Sequence, residues 1–139
     1  MTNSKLESDA LRPPVSTTDF GIFYPVGQLA AAFSRQEDAA RVRRDLMTGG
    51  FDDADCALYG HEVVKAGAQR NLAAHAGLPR LGWSDDALRV HLEAAAQGAS
   101  FLLIYAPTDV DAARVMNVIR RVPFVFVHRY RRLTIEELT

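Results

Sequence analysis

Asp38-Ala39-Ala40-Arg41-Val42 recurs as Asp111-Ala112-Ala113-Arg114-Val115. Each copy follows an apolar stretch that ends in an aromatic, Phe33 or Tyr105, by five or six residues. Each also precedes a helix end, a turn and a second apolar stretch. That shared context, more than the identical letters, marks a duplicated strand–helix–strand unit. Two such units in one small domain predict the split βαβ plan. The expectation is therefore α+β: a four-stranded antiparallel sheet with both crossover helices on one face.

Working outward, residues 28–33 read as the first strand, although alanine is a poor strand former. Ser34-Arg35-Gln36-Glu37 has the pattern of a capping box, with Ser34 and Glu37 exchanging side-chain and backbone hydrogen bonds. The helix then runs to about Met47, with Ala39, Val42 and Leu46 on one stripe. Gly49-Gly50 closes it through a left-handed turn. Residues 56–64 read as the second strand, broken near Gly60. Residues 100–106 form the third strand. Pro107 and Thr108 or Asp109 open a helix through Arg121, and Val122-Pro123 breaks it. Residues 124–130 form the last strand. Thr134-Ile135-Glu136-Glu137-Leu138 reads as a tail or a helical turn. Ahead of the domain, residues 1–18 read as a loose arm, and residues 20–26 as an edge strand or a cover for the core. The domain proper is 19–139.

In the split βαβ plan a hairpin ordinarily joins the second and third strands. Here residues 65–98 intervene, too many for a bare loop. They hold a short helical stretch near 69–76 and a helix from the N-cap Ser84 to Gln97, closed by Gly98. This is an extra helical insertion. The sheet explains why it matters. Side chains alternate along a strand, and Phe101, Leu103, Tyr105 oppose Leu102, Ile104, Ala106. In the last strand Phe124, Phe126, His128, Tyr130 oppose Val125, Val127, Arg129, Arg131. Both faces are greasy, so both need cover. The crossover helices cover one; the insertion or a second copy of the chain must cover the other. A patch of four or five bare apolar residues is too large for a stable monomer, so a homodimer is expected unless the insertion is the cover.

Composition narrows the function classes. The chain has 139 residues, sixteen Lys+Arg against seventeen Asp+Glu, and a formal charge of -1. That length suits one domain and that balance argues against a broadly basic nucleic-acid binder. Fourteen of the basic residues are Arg and two are Lys, as a GC-rich genome would give. A lone Cys56 excludes an internal disulfide and a cysteine-based zinc site. The polar start has no secretory core and no apolar run reaches the length of a membrane helix. A cytoplasmic protein without membrane association is the expectation.

The strand before the Ser-capped helix, then Gly49-Gly50-Phe51-Asp52, the helix before Gln97-Gly98-Ala99-Ser100-Phe101-Leu102-Leu103-Ile104, the second Ala-rich helix and the closing strand together resemble the small bacterial general-stress (heat-induced stress) domains over about residues 28–130. The resemblance implies a ferredoxin-like fold and a stress-linked role. It implies no catalytic residues.

The residues themselves offer three functional readings. The first is a non-enzymatic, homodimeric interaction module. The second is weak nucleic-acid or anion binding through Arg129, Tyr130, Arg131 and Arg132, since aromatic and basic side chains on a sheet can stack and hold single-stranded RNA. The third is small-molecule binding or a small enzyme, with a pocket between sheet and insertion built from His61, Trp83, His91 and His128. No histidine pair has the i, i+4 spacing of a helical metal site, and Asp52-Asp53-x-Asp55 lacks the later Glu of a calcium loop. No metal or cofactor is expected. Cys56 reads as a small buried hydrophobe, not a nucleophile.

Overall fold

The two copies of the repeat become two helices lying side by side on one face of an antiparallel sheet. In the computed structural model, which describes residues 27–74, 82–131 and 135–139 and leaves aside the side chains of 68, 70–74 and 82–88, the order is β1 (Gln28–Phe33), α1 (Gln36–Thr48), β2 (Cys56–Tyr59), α2 (His61–Ala74), α3 (Gly82–Ala96), β3 (Ser100–Tyr105), α4 (Asp109–Ile119), β4 (Phe126–Tyr130) and β5 (Ile135–Leu138). The expected arm, the aromatic stretch 20–26 and Arg132 lie outside the described residues.

The strands run β2-β3-β1-β4-β5, each antiparallel to its neighbours. β3 of the second half thus lies between β1 and β2 of the first, and β1 lies between β3 and β4 of the second. Among the described residues the sheet has five strands rather than four. Residues 135–138, expected as a tail or helical turn, pair with β4 from Val127↔Leu138 to Tyr130↔Ile135. β-branched Ile135 and the apolar–charged–charged–apolar order let one apolar side chain reach each face of the sheet: Ile135 joins one core and Leu138 the other.

Those two cores are the main consequence of the alternation. On one face Leu29, Ala31, Phe33, Leu102, Ile104 and Val127 meet Ala39, Val42 and Leu46 of α1 and Ala112, Val115, Met116 and Ile119 of α4. The same letters of the repeat, Ala and Val, are therefore buried in both helices. On the other face Ala30, Ala32, Phe101, Leu103, Phe126 and Tyr130 meet Val64 of α2 and Ala94 and Ala95 of α3. Alanine is tolerated in β1 because that strand is central and buried on both sides. Its short side chains leave room for the small residues of α3 to approach. The insertion, one of the two expected covers, lies on the second face, so that face does not call for a second copy of the chain.

Local signals were partly overridden. α1 starts at Gln36 with Arg35 as N-cap and no side-chain cap bond. The Ser34–Glu37 capping box does not form; Glu37 pairs with the Arg35 guanidinium instead. α4 does carry a side-chain cap, the Thr108 hydroxyl accepting from the Asp111 N–H at 3.0 Å. Helices α1 and α3 share their helix-ending device. After α1, Gly50 has φ +108, its N–H donates to Met47 and the Phe51 N–H donates to Leu46. After α3, Gly98 has φ +84 and the N–H groups of Gly98 and Ala99 donate to Ala95 and Ala94. Both are left-handed turns that satisfy otherwise orphaned carbonyls. The second strand ends at Tyr59, not near residue 64: after Gly60 the chain turns into α2 and puts Val64 on the second core. The last strand starts at Phe126, not 124. Ahead of it the alternation fails, so Phe124 packs on the α1/α4 side while Val125 is half exposed.

Arginines tie the first layer together. Arg43 Nε donates to the Cys56 carbonyl at 2.7 Å. Arg114, from the repeat in α4, donates to the Gly49 carbonyl at 2.8 Å and lies 4.9 Å above the Phe51 ring. A cation at the C-terminal end of α1 complements the negative end of its dipole.

Candidate functional site

Strand β4 sends Phe126, His128 and Tyr130 to the second face, beneath α3. His91 of α3 comes down onto them, fully buried. Its ring stacks on Phe101 at 5.8 Å and 15°, and lies 5.1 Å from Phe126 and 5.9 Å from His128. His128 in turn lies 4.5 Å from Phe126. Two imidazoles thus share one aromatic cluster where the insertion meets the sheet.

His128 is 8% exposed, and its Nδ1 is sealed from water without a hydrogen bond. Leaving such an atom unmatched costs roughly 1–3 kcal/mol. Burial pushes the His128 pKa below the usual histidine value, and the Glu137 carboxylate opposes that only in part. Glu137 stands directly across from His128 in the β4–β5 register. Around the two of them opens a cleft of about 240 Å³. Its walls are Val90 and Ala94 of α3 with Val125 and Phe126. Its polar groups are Glu93, Gln97, His128 and Glu137.

Of the four residues expected to form a pocket, the fold brings together His91 and His128. His61 lies apart, at the start of α2, in a wider cleft of about 500 Å³ beside Tyr59, Glu62 and Ser100. The side chain of Trp83 lies outside the described residues. Three contributors to the His128 cleft were not expected there. Glu137 was hidden because its strand read as a tail, and Gln97 and Val125 because they sit where regular elements end. Glu93, two residues after buried His91, is exposed and lines the cleft.

At the arginine-rich end the guanidinium groups of Arg129 and Arg131 meet carboxylates. Arg129, with its side chain 11% exposed, pairs with Asp109 at the start of α4 at 2.9 Å. Arg131 pairs with Glu136 at 3.4 Å and approaches Asp109 at 4.0 Å. Tyr130 is buried in the second core, so its ring offers no open face for a base. Burial also raises its phenol pKa far above the ordinary value. Arg132 lies outside the described residues.

Cys56 is sealed in the first core, on the opposite face from the histidines. Burial, with Asp55 beside it, pushes its thiol up to about 11, so it is no thiolate at neutral pH. The Asp52–Asp55 turn contains the short 3-10 helix Asp53–Asp55. Among the described residues no group of three His, Cys, Asp or Glu could hold a metal ion, and no helix is long and apolar enough to cross a membrane. Comparison of the chain with protein-family models, with curated proteins and with solved structures gave no match.

Proposed function

We propose that this chain is a ferredoxin-like, non-enzymatic binding domain of the general-stress kind, working in the cytoplasm, and that it takes a small ligand in the cleft between β4, β5 and α3. The interleaved strand order supports the ferredoxin-like reading, with β5 as an addition at one edge. The stress role rests on the sequence resemblance. One observation carries the binding role: a cleft of about 240 Å³ with the apolar walls Val90, Ala94, Val125 and Phe126 and the polar groups Glu93, Gln97, His128 and Glu137. Small-molecule sites are concave, mostly apolar and fixed by a few placed polar groups, and this cleft has that make-up. Binding is favoured over catalysis because the sole thiol is on the other face and His91 is shut away from the cleft's solvent.

Ligand-observed NMR with a library of small fragments tests this. Fragments that bind the natural chain should stop binding when the cleft is filled by Gln97→Trp, a change at an exposed position. A library without binders, or binders indifferent to Gln97→Trp, would overturn the role.

A second reading, the homodimer, now draws on a different feature. Among the described residues β2 pairs only with β3, and half-exposed Leu58 and Val63 stand beside that edge. Exposed edges are templates for pairing. Light scattering at micromolar concentration decides it: twice 15.3 kDa, abolished by Leu58→Lys, is what edge pairing requires, and a 15.3 kDa species ends that reading.

A further inference from the structure

We propose that His91 and His128 form an acid-sensitive latch: a proton on His128 frees α2 and α3 from the sheet while the α1/α4 layer stays folded. The insertion is attached at one end of the sheet. Tyr59, which ends β2, stands opposite Phe101 in β3, so the chain leaves for α2 and returns from α3 at neighbouring points. Gly60 and Gly98, at those two crossings, line the same cleft of about 500 Å³, and a Cβ on either would meet nothing within 4 Å. Short positions at the ends of elements are where hinges form. α2 and α3 pack on each other, so they can turn together about that end. Among the described residues, the buried apolar side chains they bring to the sheet are small, namely Val64, Ala94 and Ala95. The largest buried side chain they bring is the imidazole of His91.

His91 is wholly buried on Phe101, with its ring 5.9 Å from that of His128. His128 has its Nδ1 sealed without a hydrogen-bond partner. A charged imidazole must donate from both nitrogens, and this Nδ1 has no acceptor to donate to. Protonated in place, His128 would hold a buried donor unmet and a charge beside a second imidazole. The titratable groups facing it are His91 and Glu93 from α3, Glu137 from β5 and Tyr130 on its own strand. β1 sets only Ala30 opposite. Both carboxylates are exposed, so water and salt screen what they offer. Burial outweighs Glu137 and holds the His128 pKa below the usual value of 6.5. With α3 lifted, the ring is hydrated and takes up its proton near the usual value. The open form therefore binds the proton more tightly, and falling pH shifts population towards it until the docked form protonates as well.

Amide hydrogen exchange on the full chain at about pH 7 and about pH 5, corrected for the intrinsic rate at each pH, reads the release. Protection of the α3 amides 90–96 should fall severalfold at the lower pH. The fall cannot exceed about thirtyfold, the limit set there by an open form that titrates at the usual histidine value. The amides 39–46 of α1 and 112–119 of α4 should keep their protection. His128→Gln should abolish the fall. Glu137→Gln, an exposed and isosteric change, should deepen it, because the carboxylate that steadies the charge in the docked form is gone. Unchanged α3 protection at the lower pH would overturn the latch. So would an equal loss in α1 and α4, which is general unfolding, or a fall that survives His128→Gln. Should His128→Gln fail to fold, a fall unaltered by Glu137→Gln would overturn it instead.

Discussion

Replacing Phe101 by alanine removes the ring on which His91 stacks and which meets Phe126 edge-on at 6.2 Å. Phe101 is 2% exposed, so nearly all its area is withdrawn from water. A buried aromatic of this kind hides about 150–250 Å². Removing roughly 150 Å² at ~25 cal/mol per Å² costs about 4 kcal/mol, and the residual cavity keeps the total within about 3–5 kcal/mol. The size of the effect depends on α2 and α3 being in place. On a face open to water the ring would already be wet on one side, and truncation would cost below about 1 kcal/mol. Urea unfolding gives the number by linear extrapolation, and an unchanged slope shows that the transition itself is preserved. Leu102→Ala on the opposite face is the yardstick, at about 2–5 kcal/mol. Should Phe101→Ala prove too unstable to measure, Phe101→Leu retains apolar volume and should cost about 1.5 kcal/mol. A Phe101→Ala loss below about 1 kcal/mol beside a full Leu102→Ala loss would refute the two-core reasoning.

Other outcomes follow from single contacts. The unfolded chain protonates histidine near pH 6.5, while buried His128 does so only lower; stability therefore drops as pH falls below about 6.5 and levels off beneath the folded value. His128→Gln should flatten that slope in urea melts taken from neutral to mildly acidic pH, and an unaltered slope would remove the buried imidazole as its cause. Gly98→Ala should cost about 1–2 kcal/mol, all of it backbone strain, since φ is +84 and a Cβ there meets nothing within 4 Å; a neutral result would contradict the left-handed helix end. Arg129→Ala breaks the 2.9 Å pair of a nearly buried guanidinium and should cost about 1.5–3 kcal/mol. Half-exposed Arg131→Ala should cost below about 1 kcal/mol, and equal losses would undo the distinction. Cys56 in the native chain should resist iodoacetamide and react fully once denatured; fast native labelling would contradict its burial.

The duplicated Asp-Ala-Ala-Arg-Val segments made the α1/α4 layer legible, because identical letters at identical helical spacing bury identical faces. The alternation in β3 made the second core legible as a need for cover. Its identity was not, since an apolar helix stripe looks alike whether it packs in the same chain or another. The capping box failed because the N-cap falls on Arg35, one residue after Ser34, which puts Glu37 out of register for it; Glu37 meets the Arg35 guanidinium instead. β5 was missed because Ile135-Glu136-Glu137-Leu138 lacks strict alternation, and its pairing with β4 is fixed by tertiary context. With β5 missed, Glu137 was lost from the site. His91 and His128 were visible as candidates, yet their meeting depends on how α3 lies across β4, which no local spacing encodes.

The cover of the second sheet face by the chain's own insertion is tested most directly by NMR on an equal mixture of isotope-labelled and unlabelled chain. Contacts from the His91 ring to the rings of Phe101 and Phe126 should appear in the spectrum edited for pairs within one labelled chain. Their appearance only between labelled and unlabelled chains, or in neither spectrum, would contradict the account.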